Sequence, residues 1–139
     1  MFEQKHFRKF NFTQKQIEKY LRTAYRDLNI AKQDDIPEVR FQFSYSALIK
    51  LGVTLIGCFN CRVKSRSGHH IKILEKTAMI LNDKDIDLIG NQMRKTRNME
   101  LYEGGVFISK KQSNEYFKFV ERVFKDSEKF FKEKLKKLL

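Results

Sequence analysis

Helix-breaking residues are scarce in this chain, and their scarcity is the feature that most restricts its fold. One proline, Pro37, and six glycines occur in 139 residues. Proline and glycine are the main signals for the turns that join short strands. So few turn signals argue against a β-sandwich or a β-barrel and favour long helices with short connections.

Apolar residues recur at helical spacing in every long segment, and helix-start signals stand in front of several of these segments. Residues 13–16 (Thr-Gln-Lys-Gln) and 109–112 (Ser-Lys-Lys-Gln) both have the form of a capping box. Pro37 suits the first turn of a helix, and Asn82 with Asp83 suits an N-terminal cap. The sequence therefore predicts helices over about 13–33, 37–59, 69–82 and 83–103, and a long last helix from about 109.

The apolar pattern also indicates how these helices are arranged. On the first helix, Ile17 and Tyr20 belong to one apolar stripe and are predicted to face the core. Residues 48–59 are apolar on nearly all sides, which suits a helix that several neighbours bury. Residues 60–67 are predicted to form a polar, basic loop. The chain 1–139 is thus predicted to be a single all-α domain, an up-and-down bundle of four to five antiparallel helices.

The charge of the chain and its apolar surface limit the kinds of partner that we expect it to bind. The 29 Lys and Arg residues exceed the 17 Asp and Glu residues, which gives a net charge of +12. This excess favours nucleic acid, nucleotides or an acidic protein as a partner, although a lysine-rich surface with no specific partner would give the same total. The apolar face of the last helix and residues 48–59 together exceed what one thin bundle covers, so we expect a two-fold homodimer. The chain has no membrane-length apolar run and no signal-peptide pattern, and we expect a cytoplasmic protein.

Cys58 and Cys61 have the spacing of metal-binding or redox-active pairs, and His69 and His70 follow downstream. The spacing matches no common zinc module, and a cysteine in an apolar helix usually only packs. We therefore expect no metal site and no cofactor. The usual enzyme fingerprints, such as a glycine-rich phosphate loop, are also missing from the sequence.

One candidate site for phosphate lies where the third predicted helix begins. Lys64 and Arg66 precede His69 and His70 there. The unpaired N–H groups at a helix start attract anions, and the basic side chains would add to that attraction. The alternative is that one histidine packs in the core and the other is solvated.

A second candidate site lies on the fourth predicted helix. Arg94, Asn98 and Tyr102 are four residues apart and share one face, with Arg97 at its edge. Arginine, asparagine and tyrosine on one stripe can clamp a phosphate and a ribose or base edge. The alternative is a surface ion pair between Arg97 and Glu100 beside a structural Asn98.

The two candidate sites together carry a family resemblance. The sequence Lys-Ser-Arg-Ser-Gly-His-His at residues 64–70, followed by Arg97, Asn98 and Tyr102 on a later helix, resembles the HEPN superfamily over about residues 20–135. The resemblance implies an all-α bundle, commonly a homodimer, often encoded with a nucleotidyltransferase partner in toxin–antitoxin systems. Active members are metal-independent ribonucleases that use an Arg, a polar residue and a His on one late helix. The resemblance thus assigns catalytic positions to Arg97, Asn98 and Tyr102.

The histidine of that motif is missing between Arg94 and Glu103. A histidine normally acts as acid or base in the cleavage of RNA at the 2′-OH. Either Tyr102, His69 or His70 takes its place, or the domain only binds. We therefore expect an RNA- or nucleotide-binding domain, with a ribonuclease toxin, or a non-catalytic partner of a nucleotidyltransferase or an antitoxin, as alternatives.

Overall fold

The computed structural model describes the backbone of residues 1–102 and 108–138 and the side chains of residues 1–99 and 108–135. The described helices are α1 (Gln14–Gln33), α2 (Pro37–Gly57), α3 (His69–Leu81), α4 (Lys84–Tyr102) and α5 (Lys110–Leu138). Two short strands accompany them, β1 (Phe7–Lys9) and β2 (Cys61–Val63). The prediction of an all-α helical bundle is confirmed, and the helix bounds lie close to the predicted ones. None of the described helices is long and apolar enough to cross a membrane.

The helices use most of the predicted start signals. The exception is Asn82, which ends α3, so that Asp83 alone caps α4 by accepting a hydrogen bond from the N–H of Asp85 (3.0 Å). Thr13 Oγ1 accepts a hydrogen bond from the N–H of Gln16 (3.2 Å), and Gln16 Oε1 accepts one from the N–H of Thr13 (2.9 Å). At α5, Ser109 Oγ accepts a hydrogen bond from the N–H of Gln112 (3.0 Å). Pro37 occupies the first turn of α2. These caps satisfy backbone donors that the first turn of a helix leaves unpaired.

α2 is the centre of the bundle. It contacts α1, α3, α4 and α5, and residues 48–57 are buried on nearly all sides, as predicted. Arg40, near the start of α2, donates hydrogen bonds to the carbonyl oxygens of Ala31 (2.9 Å) and Lys32 (3.3 Å) at the end of α1. Because the start of one helix meets the end of the other, α1 and α2 form an antiparallel pair.

Residues 60–67 contain a strand as well as a loop. β2 pairs antiparallel with β1, with Phe7 opposite Val63 and Lys9 opposite Cys61. The prediction of a loop is therefore wrong for β2. Three residues are too few to show an alternating pattern, and the pairing partner lies before α1, far away in the sequence.

The extended segment carries the chain back along α2 before α3 begins. Tyr45, in the first half of α2, contacts His70 in the first turn of α3. Further along both helices, Gly52 faces Ile73 and Thr77. The contacts advance in the same direction on α2 and α3. The first turn of α3 consequently lies beside α2 and not beyond its end.

Tyr20 is less buried than its place on the apolar stripe of α1 predicts. Its side chain is 37% exposed, whereas Ile17 on the same helix is buried, so the inward prediction is wrong for Tyr20. The Tyr20 ring meets Phe12 in an edge-to-face contact, with 5.5 Å between the ring centres. The segment before α1 therefore covers part of the Tyr20 ring and leaves the rest exposed.

The crossing of α2 and α3 depends on Gly52. A Cβ atom added there would lie 2.7 Å from Ile73 Cγ2 and nearer still to Thr77 Oγ1. Atoms in close-packed interiors do not approach so closely, so the absence of a side chain at Gly52 allows the two helices to meet.

We expect Gly52→Ala to lower the free energy of unfolding by about 1–3 kcal/mol, because the helices must shift to admit the added methyl group. Helix propensity alone would favour alanine by about 1 kcal/mol, so a net loss in urea titration identifies the crowding. Thr77→Ala removes the nearest neighbour, and Gly52→Ala should cost less in that background. A Gly52→Ala variant as stable as the parent protein would contradict this packing.

Candidate functional site

A cleft of about 410 Å³ opens between α2, the first turn of α3 and α4. Two residues predicted from the sequence, His70 and Arg97, meet in it although they lie on different helices. We call it the cationic cleft, and its lining consists of Gln42, Phe43, Tyr45, Ser46, Ile49, Lys50, His70 and Arg97.

A hydrogen bond between Tyr45 and His70 joins two walls of the cationic cleft. The Tyr45 hydroxyl oxygen lies 2.8 Å from His70 Nδ1. Tyr45 is buried, and burial raises the pKa of its hydroxyl to about 12, although the charges of Arg97 and Arg94 act in the opposite direction. The phenol therefore stays protonated at neutral pH, and its hydrogen bond fixes the orientation of the imidazole.

His70 is a neutral group in the folded protein at neutral pH. Burial and, to a smaller extent, the positive charges of His69, Arg97 and Arg94 lower its pKa to about 4. A neutral imidazole has one donor nitrogen and one acceptor nitrogen. His70 can therefore accept a proton or share hydrogen bonds, but it adds no positive charge to the cleft.

The positive charge of the cleft comes from α4. Arg94 and Arg97 lie three residues apart on the helix and so project to the same side. The guanidinium carbon of Arg97 lies 5.7 Å from the centre of the Tyr45 ring, within the range of a cation–π contact. Arg94 Nε donates a hydrogen bond to Asn91 Oδ1 (3.0 Å), and this bond restrains the Arg94 side chain.

The remaining predicted residues of α4 do not join this group. Asn98 is half-buried and is not part of the lining of the cleft. Tyr102 belongs to the last turn of α4, and its side chain lies outside the described residues, as does that of Glu100. The structure thus brings Arg97 together with His70 and Tyr45, and not with Asn98.

Lys64 and Arg66 lie apart from the cationic cleft. They line a separate cavity of about 200 Å³ with His6 and His69. His69 Nδ1 lies 2.8 Å from the carbonyl oxygen of Arg66, so its imidazole is tied to the backbone of its own loop. The predicted cluster at the start of α3 is therefore divided, and His70 alone reaches the cleft that contains Arg97.

α2 contributes polar groups that the sequence motifs do not reveal. Asp27 of α1, only 1% exposed, lies 2.6 Å from Lys50 Nζ and accepts a 2.7 Å hydrogen bond from Ser46 Oγ. Burial opposes the ionisation of Asp27, but the hydrogen bonds from Lys50 and Ser46 outweigh burial and lower its pKa. Gln42, Ser46 and Lys50 follow one another at intervals of four residues. This polar stripe on an apolar helix is the sequence feature from which these groups could have been predicted.

The two cysteines are free thiols with little reactivity. Burial raises the pKa of Cys58 to about 11 and raises the pKa of Cys61 as well. A thiol that stays protonated is a poor nucleophile and a poor metal ligand. Over residues 1–102 and 108–138, no group of three or more His, Cys, Asp or Glu side chains is arranged to hold a metal ion.

Comparison with known proteins gives no relative for this chain: no family model, no curated protein and no solved structure matches it. The functional argument therefore depends on the chemistry of the cationic cleft. Its groups include the guanidinium ion of Arg97, a neutral imidazole and a protonated phenol, with the guanidinium ion of Arg94 beside them. Together they suit an anionic ligand that also offers hydroxyl groups.

We expect the protein to lose stability as the pH falls from about 6.5 to about 4. The pKa of His70 is near 6.5 in an unfolded chain and about 4 in the folded protein, so the unfolded state takes up a proton first. The stabilising contribution is complete above about pH 6.5 and is lost progressively towards about pH 4.

Melting temperatures measured across this pH range test the expectation. His70→Asn should flatten the curve, because the group that titrates is gone. Burial also lowers the pKa of His6, so His6→Asn is the matched control for the part that is not due to His70. An NMR titration in which His70 keeps an ordinary pKa would contradict the assignment.

Proposed function

We propose that this protein binds RNA or nucleotide phosphates in the cationic cleft. One observation carries the proposal: Arg97 of α4, His70 of α3 and Tyr45 of α2 converge on one opening, with Arg94 beside them. Guanidinium groups bind phosphate through a planar set of donors, and imidazole and phenol groups hydrogen-bond to phosphate or ribose oxygens. The net charge of +12 favours a polyanion over a neutral ligand.

The distribution of charge suggests how a ligand would lie. Lys50 lines the cleft, but the buried carboxylate of Asp27 already compensates its charge. Arg94 and Arg97 therefore dominate the attraction for a phosphate. The negative part of a ligand would lie towards α4, and its neutral part would lie towards α2 and α3.

Arg97→Ala should weaken RNA binding and reduce the salt dependence by about one unit of slope in log Kd against log salt, because one phosphate contact is lost. Arg97→Lys should restore the slope but only part of the affinity, since the charge remains and the planar set of donors does not. Fluorescence anisotropy of a labelled RNA over a series of salt concentrations measures both quantities.

Lys132→Ala is the matched control for Arg97→Ala. Lys132 is an exposed cation on α5, away from the lining of the cleft, and its loss should change the affinity much less. Equal effects of the two alanine variants would mean that the surface is uniformly basic and has no site.

A metal-independent ribonuclease is the second candidate function, and the position of His70 favours it. The motif that resembles the HEPN superfamily lacks a histidine after Arg97, and His70 of α3 lines the same cleft as Arg97. His70 is neutral at neutral pH, the form in which an imidazole can remove a proton from a ribose 2′-OH, but a pKa of about 4 makes it a weak base, so binding stands as the first proposal.

Incubation of the protein with single-stranded RNA in EDTA distinguishes cleavage from binding. If His70 is a general base, the protein should cut the RNA without metal, and His70→Ala should slow cleavage by about 10²–10⁴-fold while RNA binding persists. His6→Ala is the matched control, because His6 belongs to the separate cavity with Lys64 and does not line the cleft. RNA that stays intact with the unmodified protein would leave binding as the function.

A further inference from the structure

A second cavity adjoins the cationic cleft. It has a volume of about 260 Å³, and Ile49 and His70 form part of the lining of both cavities. Its other lining residues are mainly apolar or aromatic, with a few polar groups among them. We call it the aromatic cavity, and its further lining includes Phe12, Tyr20, Val53, Val63, Arg62 and Ser65.

The lining of the aromatic cavity suits a flat ring with polar edges. Phe12 and Tyr20 meet edge to face, and Tyr20 retains 37% of its surface exposed. Exposed aromatic side chains provide stacking surfaces for planar ligands. Arg62, Ser65 and His70 supply hydrogen-bonding groups next to these rings. A small number of polar groups in a mostly apolar wall is the usual composition of a site for an organic ligand.

The two adjoining cavities suit different parts of one ligand. The cationic cleft contains Arg97 and lies beside Arg94, which suits a phosphate, and the aromatic cavity suits a ring without charge. A nucleotide has these two parts at its two ends. At about 260 Å³ the aromatic cavity lies just below the usual range for whole small-molecule ligands, which suits a base alone, with its phosphate in the neighbouring cleft.

We propose that the aromatic cavity is a nucleobase subsite of the cationic cleft, and that the ligand is therefore an unpaired nucleotide. This inference rests on the proposed function. A base within a duplex is stacked and paired, and it cannot enter a cavity in the protein. The shared chemistry is one base with its phosphate, supplied either by a single strand or by a free nucleotide.

Three probes of equal backbone length test the subsite in the full chain: a single-stranded RNA, the same ribose-phosphate strand without bases, and a duplex. We expect the single strand to bind about fivefold or more tightly than the abasic strand, because one stacked base contributes about that much. At high salt, where the larger charge of the duplex contributes least, the duplex should bind more weakly than the single strand. A nucleoside monophosphate that binds as tightly as the single strand would identify a free nucleotide as the source.

Variants of Tyr20 separate the base subsite from the phosphate site. Tyr20→Ala should remove the preference for bases and leave the affinity for the abasic strand unchanged, whereas Tyr20→Phe should keep the preference. Leu88→Ala is the matched control, because Leu88 is an apolar side chain of α4 that is 62% exposed and lies outside both cavities. Arg97→Ala should weaken the binding of both strands.

A spectroscopic readout of the unmodified protein guards against loss of folding in Tyr20→Ala. 2-Aminopurine placed as the only base of the otherwise abasic strand should lose fluorescence on binding, because it has no neighbouring base to stack on before it meets an aromatic ring of the cavity, and the protein contains no tryptophan to interfere. Equal affinity for the base-bearing and abasic strands, without quenching, would overturn the base subsite. If that binding still depended on Arg97, the proposed function would stand. If neither strand bound in a way that depends on Arg97, both the base subsite and the proposed function would be overturned.

Discussion

At Gly52 the side chains of Ile73 and Thr77 on α3 pack so closely against α2 that no Cβ atom fits between the two helices. This contact fixes the position of α3 against the buried central helix, and so brings His70 to the hydroxyl group of Tyr45. Gly90 of α4 likewise meets α3 without room for a Cβ atom. Because α3 packs on α2 and α4 packs on α3, Arg97 reaches a cleft whose other walls belong to α2 and α3.

Buried polar groups stabilise the walls of this cleft from behind. Asp27 is surrounded by donors, and its contacts with Ser46 and Lys50 tie α1 to the polar stripe of α2. A carboxylate that is buried this deeply stays ionised only when it is paired and hydrogen-bonded. The same contact removes much of the charge of Lys50 from the cleft, which leaves the arginines of α4 to decide the sign of the potential there.

Most of the helical fold could be predicted because its signals are local. The caps at Thr13 and Ser109 are each encoded within four residues, and apolar periodicity marks the bodies of the helices. The candidate site could be predicted only in part. His70 and Arg97 stand out as residue types, but their meeting with Tyr45 depends on the return of the chain along α2, which no local pattern encodes. The homodimer and the partner proteins that the resemblance implies stay predictions.

The pairing of β1 with β2 has a consequence for the order of assembly. Phe7 meets Val63 at a smaller cost in chain entropy once the intervening α1–α2 hairpin has folded, because the two strands lie on either side of it in the sequence. Contacts between residues distant in sequence carry a larger loss of chain entropy than contacts within a hairpin, and they form later. The segment that leads into His69 and His70 should therefore become ordered after the α1–α2 hairpin. Nascent chains would pass through a stage in which this hairpin is formed and the imidazole has not yet reached its phenol.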